Sequence, residues 1–302
     1  MRIEKWLKNN TASLAGKTVA ITGATGGLGQ KLCGYLLKSG ARLILCDRDP
    51  ARSHALGERL KAACPGGQIR YCKVDLENIG EVKAACQVLQ REAIDILLLN
   101  AGAYSIPRHF CDTGYDNVFQ INFASPYYMA RTLLPTLRER GGRVVAVGSI
   151  AHRYSVTDPA DPDFSGRKRA SLVYGNAKRM LMFSLYALFR EERQASLAVV
   201  HPGISFTGIT AHYPKVIFAL IKHPMKWIFM KPEKACLSIL RGVFEKTGDQ
   251  EWIGPRFFDV WGKPKKKTLH SATEEEQKQI AHTAETVYAK CKNRAERRGL
   301  QF

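Results

Sequence analysis

Short apolar runs recur along the chain, each followed by Gly, Pro or a polar residue. Thr18–Ile21, Ala41–Cys46, Ile69–Val74, Ile94–Leu99, Arg143–Val147 and Leu197–Val200 are the clearest. They are too short to be helices and predict six strands. Between them lie stretches with apolar residues at helical spacing: Lys31–Leu37, Ala51–Ala63, Glu81–Glu92, Tyr115–Leu137 and Leu172–Glu192. The second is stopped by Pro65-Gly66-Gly67, and the fourth is expected to break near Pro126 and Pro135, because proline has no N–H to give a helix. Glu233–Lys246 adds a helix and Trp252-Ile253 a last strand. Strands alternating with helices predict an α/β fold. The expected form is a doubly wound parallel sheet covered on both faces, three layers in a single domain.

Three regions depart from this rhythm. Residues 1–16 form a basic lead-in in which Ile3, Trp6 and Leu7 share one helical face, as a docking helix or a membrane-surface contact would require. Residues 17–262 make the main domain. Within it, 204–232 holds two apolar runs around Lys222-His223-Pro224 and suits a lid over a greasy pocket, with membrane contact or core packing as alternatives. Residues 263–302 read as a basic, mostly helical extension lying on the surface, where it packs on a neighbour or frays. The 302 residues are enough for a substantial core. No apolar run is long enough to cross a membrane, and the N-terminus lacks the pattern of a secretory signal.

The formal charge of +19 suits an anionic membrane, an acidic ligand or a basic surface kept for solubility. No recognition motif accompanies it, so specific nucleic-acid binding is not expected. Eight cysteines are scattered without Cys-x2-Cys or a completing His pair. They predict no metal site and a reducing compartment, the cytoplasm, with membrane-peripheral attachment as a variant.

The chemistry starts at Thr22-Gly23-Ala24-Thr25-Gly26-Gly27-Leu28-Gly29. This turn joins the first strand to a helix, and the next strand ends in Asp47. That context is what a dinucleotide site requires. Gly23 would supply the tight turn, Gly27 the approach of backbone N–H groups to a pyrophosphate, and Gly29 close helix–strand packing. Tyr174 and Lys178 lie four apart on a predicted helix and so share a face. A cation beside a tyrosine favours the phenolate, which makes such a pair a general acid/base for an alcohol or carbonyl. Ser149 and Asn100-Ala101-Gly102 end strands at the edge where open α/β sheets bind ligands.

Together with Asn122, Tyr174-Gly175-Asn176-Ala177-Lys178 and Pro202-Gly203, these motifs resemble the short-chain dehydrogenase/reductase family over about residues 15 to 250. The resemblance implies a Rossmann-type sheet and a set of roles. Tyr174 would exchange the proton, Ser149 would hold the substrate oxygen, and Lys178 would bind the nicotinamide ribose and acidify Tyr174. Asn122 would hold a water relay to Lys178. Asp75 would meet the adenine, supported by Leu76; Asn100 would flank the cofactor, and Thr207 would touch the carboxamide region. Ser149-Ile150-Ala151-His152 and the 25-residue step to Tyr174 resemble the retinol dehydrogenase-like branch and imply a lipophilic alcohol or ketone, such as a steroid or retinoid. His152 reads as a loop or substrate-contact residue. Asp47 and the absence of a base before Gly27 favour NAD; Arg48, able to clamp a phosphate, keeps NADP as the alternative. The family implies a homodimer or homotetramer. The competing readings are a dinucleotide-binding sensor or scaffold without turnover, and an epimerase or dehydratase on the same fold.

Overall fold

The computed structural model describes residues 3–203 and 230–299. Its centre is one eight-stranded sheet in the order β3-β2-β1-β4-β5-β6-β7-β8. The strands are β1 (Thr18–Thr22), β2 (Arg42–Asp47), β3 (Ile69–Lys73), β4 (Ile96–Leu99), β5 (Arg143–Val147), β6 (Ser196–Val200), β7 (Glu251–Phe257) and β8 (Trp261–Thr268). The first seven are parallel, and β8 returns antiparallel to β7. Winding runs outward from β1 to β3 on one side and from β4 onward on the other, so the switch point lies between β1 and β4. Ligand crevices form there in such folds.

The central strands read as continuous apolar runs because both faces are covered. Ala20, Leu97, Leu99, Val144 and Ala146 face one core; Val19, Ile21, Leu98, Val145 and Val147 alternate into the other. The first core is roofed by α4 (Ile79–Arg91), α6 (Ser125–Glu139), α7 (Ala170–Phe189) and α9 (Glu274–Gly299). The second is roofed by α1 (Ile3–Asn10), α2 (Gly27–Lys38), α3 (Pro50–Ala63) and α8 (Pro232–Phe244). The layers are therefore α/β/α, and the chain has the expected Rossmann-type sheet. Trp6 on α1 is buried, with Ile3 and Leu7 packed beside it, so this helix docks on the domain.

Several expectations need correction. The helix through Tyr115–Leu137 is not broken by its prolines. A short α5 (Asn117–Phe119) passes through a π turn, Gln120–Ala124, into α6. Pro126 follows directly on the π turn, in which the Ser125 N–H bonds the Gln120 carbonyl, and Pro135 lies inside α6. The 262/263 boundary falls inside β8, because Lys263–Lys267 form most of the sheet's edge strand. Edge strands are commonly guarded by lysine. The C-terminal helix is not a free tail: Ile280, Ala284, Val287, Cys291 and Ala295 line one buried stripe against the first core. The lid expectation falls on 204–229, outside the described residues; Met230 is buried and Pro232 opens α8.

Candidate functional site

The Gly-rich turn lies at the carboxyl end of β1. Gly23 has φ +65° and approaches the Ala101 backbone so closely that an added Cβ would sit 3.0 Å from its Cα. At Gly29 a Cβ would be 2.2 Å from the Gly23 carbonyl oxygen, so the close approach is to the turn itself rather than to the strand. Gly26 caps α2 without a side-chain hydrogen bond, which leaves the helix's first N–H groups directed to a ligand. Asn100 locks the turn to β4. Its Nδ2 donates to the Thr22 and Gly23 carbonyls at 3.0 and 3.2 Å, while Thr22 Oγ1 accepts the Asn100 and Ala101 N–H groups, each at 3.1 Å.

A cleft of about 320 Å³ opens over this turn. Its walls include Thr22, Thr25, Gly26, Gly27, Leu28, Asp47, Arg48, Asp75, Leu76, Asn100, Ala101 and Gly102, all expected at a dinucleotide site. Asp47 Oδ2 accepts the Thr25 N–H and hydroxyl at 2.8 and 2.7 Å, and its Oδ1 accepts the Arg48 N–H at 3.0 Å. The acid thus braces the turn as well as lining the cleft. Arg52 lines it too and reaches the Thr25 carbonyl at 3.4 Å. Sequence reading missed Arg52; the available signal was its place on the first turn of α3, five residues beyond Asp47. Uncapped helix N–H groups, a glycine cradle and a ribose-reading acid fit a nicotinamide dinucleotide.

Lys178 and Asn122 border the same cleft through Gly102. A Cβ there would lie 3.5 Å from Lys178 Nζ and 2.9 Å from Asn122 Oδ1. Asn122 rides on the π turn, a geometry common at functional positions. Its Nδ2 donates to the Ala103 and Val118 carbonyls, both at 2.8 Å. Lys178 is buried, donates to the Val147 carbonyl at 2.9 Å, and stands 5.8 Å from the Tyr174 ring centroid. Burial pulls its ammonium down to about 8. Burial pushes the Tyr174 phenol up to about 12, while hydrogen bonding with Ser149 opposes that rise. Ser149, Tyr174, Lys178 and Asn122 therefore gather at the end of β5. The walls of the cleft stop short of Asn122, Ser149, Tyr174 and Lys178, and short of Pro202 and Gly203 as well; Gly203, with φ +83°, stands beside Val260 and Pro255. Thr207 lies outside the described residues.

A family model described as short chain dehydrogenase matches residues 17–160. Human retinol dehydrogenase 14 is 31% identical over 265 residues, covering 80% of this chain and 78% of that protein. The chain is a short-chain dehydrogenase/reductase. It falls in the retinol dehydrogenase-like branch of that family and is an oxidoreductase acting on CH–OH donors. Its fold is also that of a Mycobacterium paratuberculosis protein described as putative and uncharacterized, at TM-score 0.70 and 23% identity over 95% of this chain and 96% of the other. The complex of Pseudomonas aeruginosa RhlG with NADP aligns at TM-score 0.58 and 27% identity, covering 76% of this chain and 91% of that one. Members of this family use NAD or NADP.

In this dehydrogenase His152 is not a loop or substrate-contact residue. It is buried, its Nδ1 lies 2.7 Å from the Ser149 carbonyl oxygen, and its ring meets Trp252 edge-on at 5.3 Å. His201 stacks on Trp252, with ring centroids 4.9 Å apart and planes 7° from parallel. Burial holds both imidazoles down to about 4. Glu77, His109 and Cys111 converge within 4.8 Å, a grouping that the spacing of cysteines and histidines did not reveal. Asn117 Nδ2, oriented by the Pro107 carbonyl, faces His109 Nδ1 at 3.2 Å. That leaves the ring proton on Nε2, donated to Glu77 at 2.8 Å. The trio is a hydrogen-bonded pair beside a thiol that burial pushes up to about 12.

Proposed function

We propose that this chain moves hydride between a nicotinamide and a lipophilic alcohol or carbonyl, with Tyr174 as the proton-transfer group. The observation that carries this is the meeting of Lys178 and Asn122 with the dinucleotide cleft at Gly102, beside Tyr174 and Ser149. When bound, the nicotinamide supplies or accepts the hydride. In oxidation Tyr174 takes the substrate hydroxyl proton; in reduction it returns one. Ser149 holds the substrate oxygen next to that phenol. Lys178 takes the nicotinamide-ribose hydroxyls and, as a buried cation, favours the phenolate. Asn122 holds the Gly102–Ala103 backbone beside Lys178 and so supports a water relay ending there. Asp75 and Leu76 receive the adenine, and Asn100 flanks the cofactor. Thr207 is assigned to the carboxamide end by family resemblance, and Pro202-Gly203 to the turn leading to it.

NAD is the proposed cofactor, because the Asp47 carboxylate hydrogen-bonds ribose hydroxyls and repels a 2′-phosphate. A specific observation favours NADP instead: two guanidinium groups, Arg48 and Arg52, line the same end of the cleft. A retinoid, steroid or similar alcohol is the proposed substrate class, in line with the retinol named for the human relative. We place the enzyme in the cytoplasm, where its eight free thiols persist, as a homodimer or homotetramer.

Titration with NADH and NADPH, followed by turnover of retinoid, steroid and aliphatic alcohols, tests the reading. NAD-dependent turnover that drops at least about 100-fold in Tyr174→Phe is expected. Turnover with NADP alone would show that the two arginines outweigh Asp47. Tight cofactor binding with no turnover would favour the sensor, or an epimerase or dehydratase that keeps its cofactor.

A further inference from the structure

Seven large hydrophobic side chains are exposed among the described residues, and six of them occupy one edge of the molecule. Phe110 follows β4; Tyr154 and Val156 follow β5; Phe257, Phe258 and Trp261 surround the β7–β8 turn. Since β4 to β7 are parallel, all six lie at the carboxyl edge, with the Gly-rich turn and Ser149. Only Val88, on α4, is elsewhere. Isolated exposed apolar residues are ordinary, but their confinement to one edge marks a surface that meets something apolar.

The β7–β8 turn is the sharpest part of that edge. Phe258 and Asp259 have φ of 51° and 60°, the left-handed backbone that asparagine and glycine adopt most easily. A phenylalanine there is 79% exposed, so neither its backbone nor its contact with water explains it. The turn is held firmly: buried Asp259 accepts from Arg153 at 3.0 Å and from Lys267 at 2.7 Å. Basic side chains accompany the aromatic tip: Arg256 and Lys263 flank the turn, Lys265 lies farther along β8 opposite Gly254, and Lys168 and Arg169 lead into α7 from the carboxyl end of β5. Lys168, Arg169, Arg256, Lys263 and Lys265 are exposed, and among the described residues none of them forms an ion pair. Nearby acids are engaged, Asp158 and Asp161 by Arg167 and Asp259 as above. Pairing of β8 with a second copy would bring the lysine rows together, which like charges oppose.

We propose that this carboxyl edge docks on an anionic lipid bilayer, with Phe258 and Trp261 in the interface and the lysines on headgroup phosphates. Amphipathic rings and long cationic side chains suit that boundary. Docking would set the mouth of the active site against the lipid, so that a lipophilic alcohol enters from the bilayer. This last step rests on the proposed function; docking itself does not.

The test is sedimentation of the full chain with phosphatidylcholine vesicles, with and without phosphatidylserine. Binding is expected only with phosphatidylserine and should fall in high salt. Phe258→Asn suits the left-handed turn and should fold well, yet weaken binding about tenfold. Lys263→Gln and Lys265→Gln should each weaken it about fivefold. Equal sedimentation with neutral vesicles, or unchanged binding by Phe258→Asn, overturns the proposal. So does a dimer in light scattering that Phe258→Asn dissolves while no vesicle binding is seen. Turnover of a soluble alcohol without vesicle binding would sink docking and leave the catalytic reading standing. Binding without turnover would do the reverse.

Discussion

Lys178 carries an ammonium into the interior on a hydrogen bond to the Val147 carbonyl. Its lowered value of about 8 means that burial costs the folded chain roughly 3 kcal/mol below that pH. The unfolded lysine keeps its proton up to about 10.5, so stability rises as pH climbs from 8 toward 10.5. Lys178→Met should therefore melt higher than the parent at neutral pH while losing turnover, and thermal melts beside a cofactor-linked assay check both. Such a trade marks a residue retained for chemistry rather than for stability. At this scale the sequence was informative where backbone motifs dictate position. Gly23, Asn100 and Asp47 could be placed because turn, strand end and acid occur in a readable order. Arg52 carried a weaker signal, its place on a helix start five residues beyond Asp47, and it reaches the cleft across the intervening loop. The fate of His152 was equally hidden, since only packing against Trp252 decides that it is core.

Among the elements, α7 bears Tyr174 and Lys178 and is braced by the C-terminal helix. Buried Arg179, next to Lys178, pairs with Glu276 of α9 and donates to the His152 and Ser271 carbonyls. Removing the acid would leave a buried guanidinium short of its partner. Glu276→Gln should cost about 3 kcal/mol in urea unfolding and lower kcat more than KM, because it loosens the helix that positions the proton donor. A change confined to stability would show that α7 holds its place without α9. The long polar sequence of α9 concealed this role. Its apolar stripe is narrow, built of Ile, Ala, Val and Cys, and the charges around it dominate any average. β8 was missed for a related reason. A run of lysines has no apolar alternation, yet an edge strand needs only one partner and one covered face. The parallel strands were legible because burial on both faces leaves nearly unbroken apolar runs.

Across the whole molecule, buried histidines tie stability to acidity. His152 and His201 flank Trp252 and are held neutral down to about pH 4, whereas unfolded histidine protonates near 6.5. The unfolded state thus binds more protons between those values, and stability falls as pH drops from 6.5 to 4. Each histidine contributes up to roughly 3 kcal/mol of that loss. Melting temperature should decline steeply between pH 7 and 5, and His201→Phe should flatten the slope; an unchanged slope would place the acid sensitivity elsewhere. The sheet itself is unevenly joined. β5 and β6 align over five residue pairs, but β6 meets β7 in register only at Val200 and Ile253. In heavy water the amides of β7 and β8 should take up deuterium well before those of β1, β4 and β5. The hairpin that carries the aromatic tip would then behave as a stiff blade on a soft hinge, able to tilt toward a surface while the cofactor turn stays still.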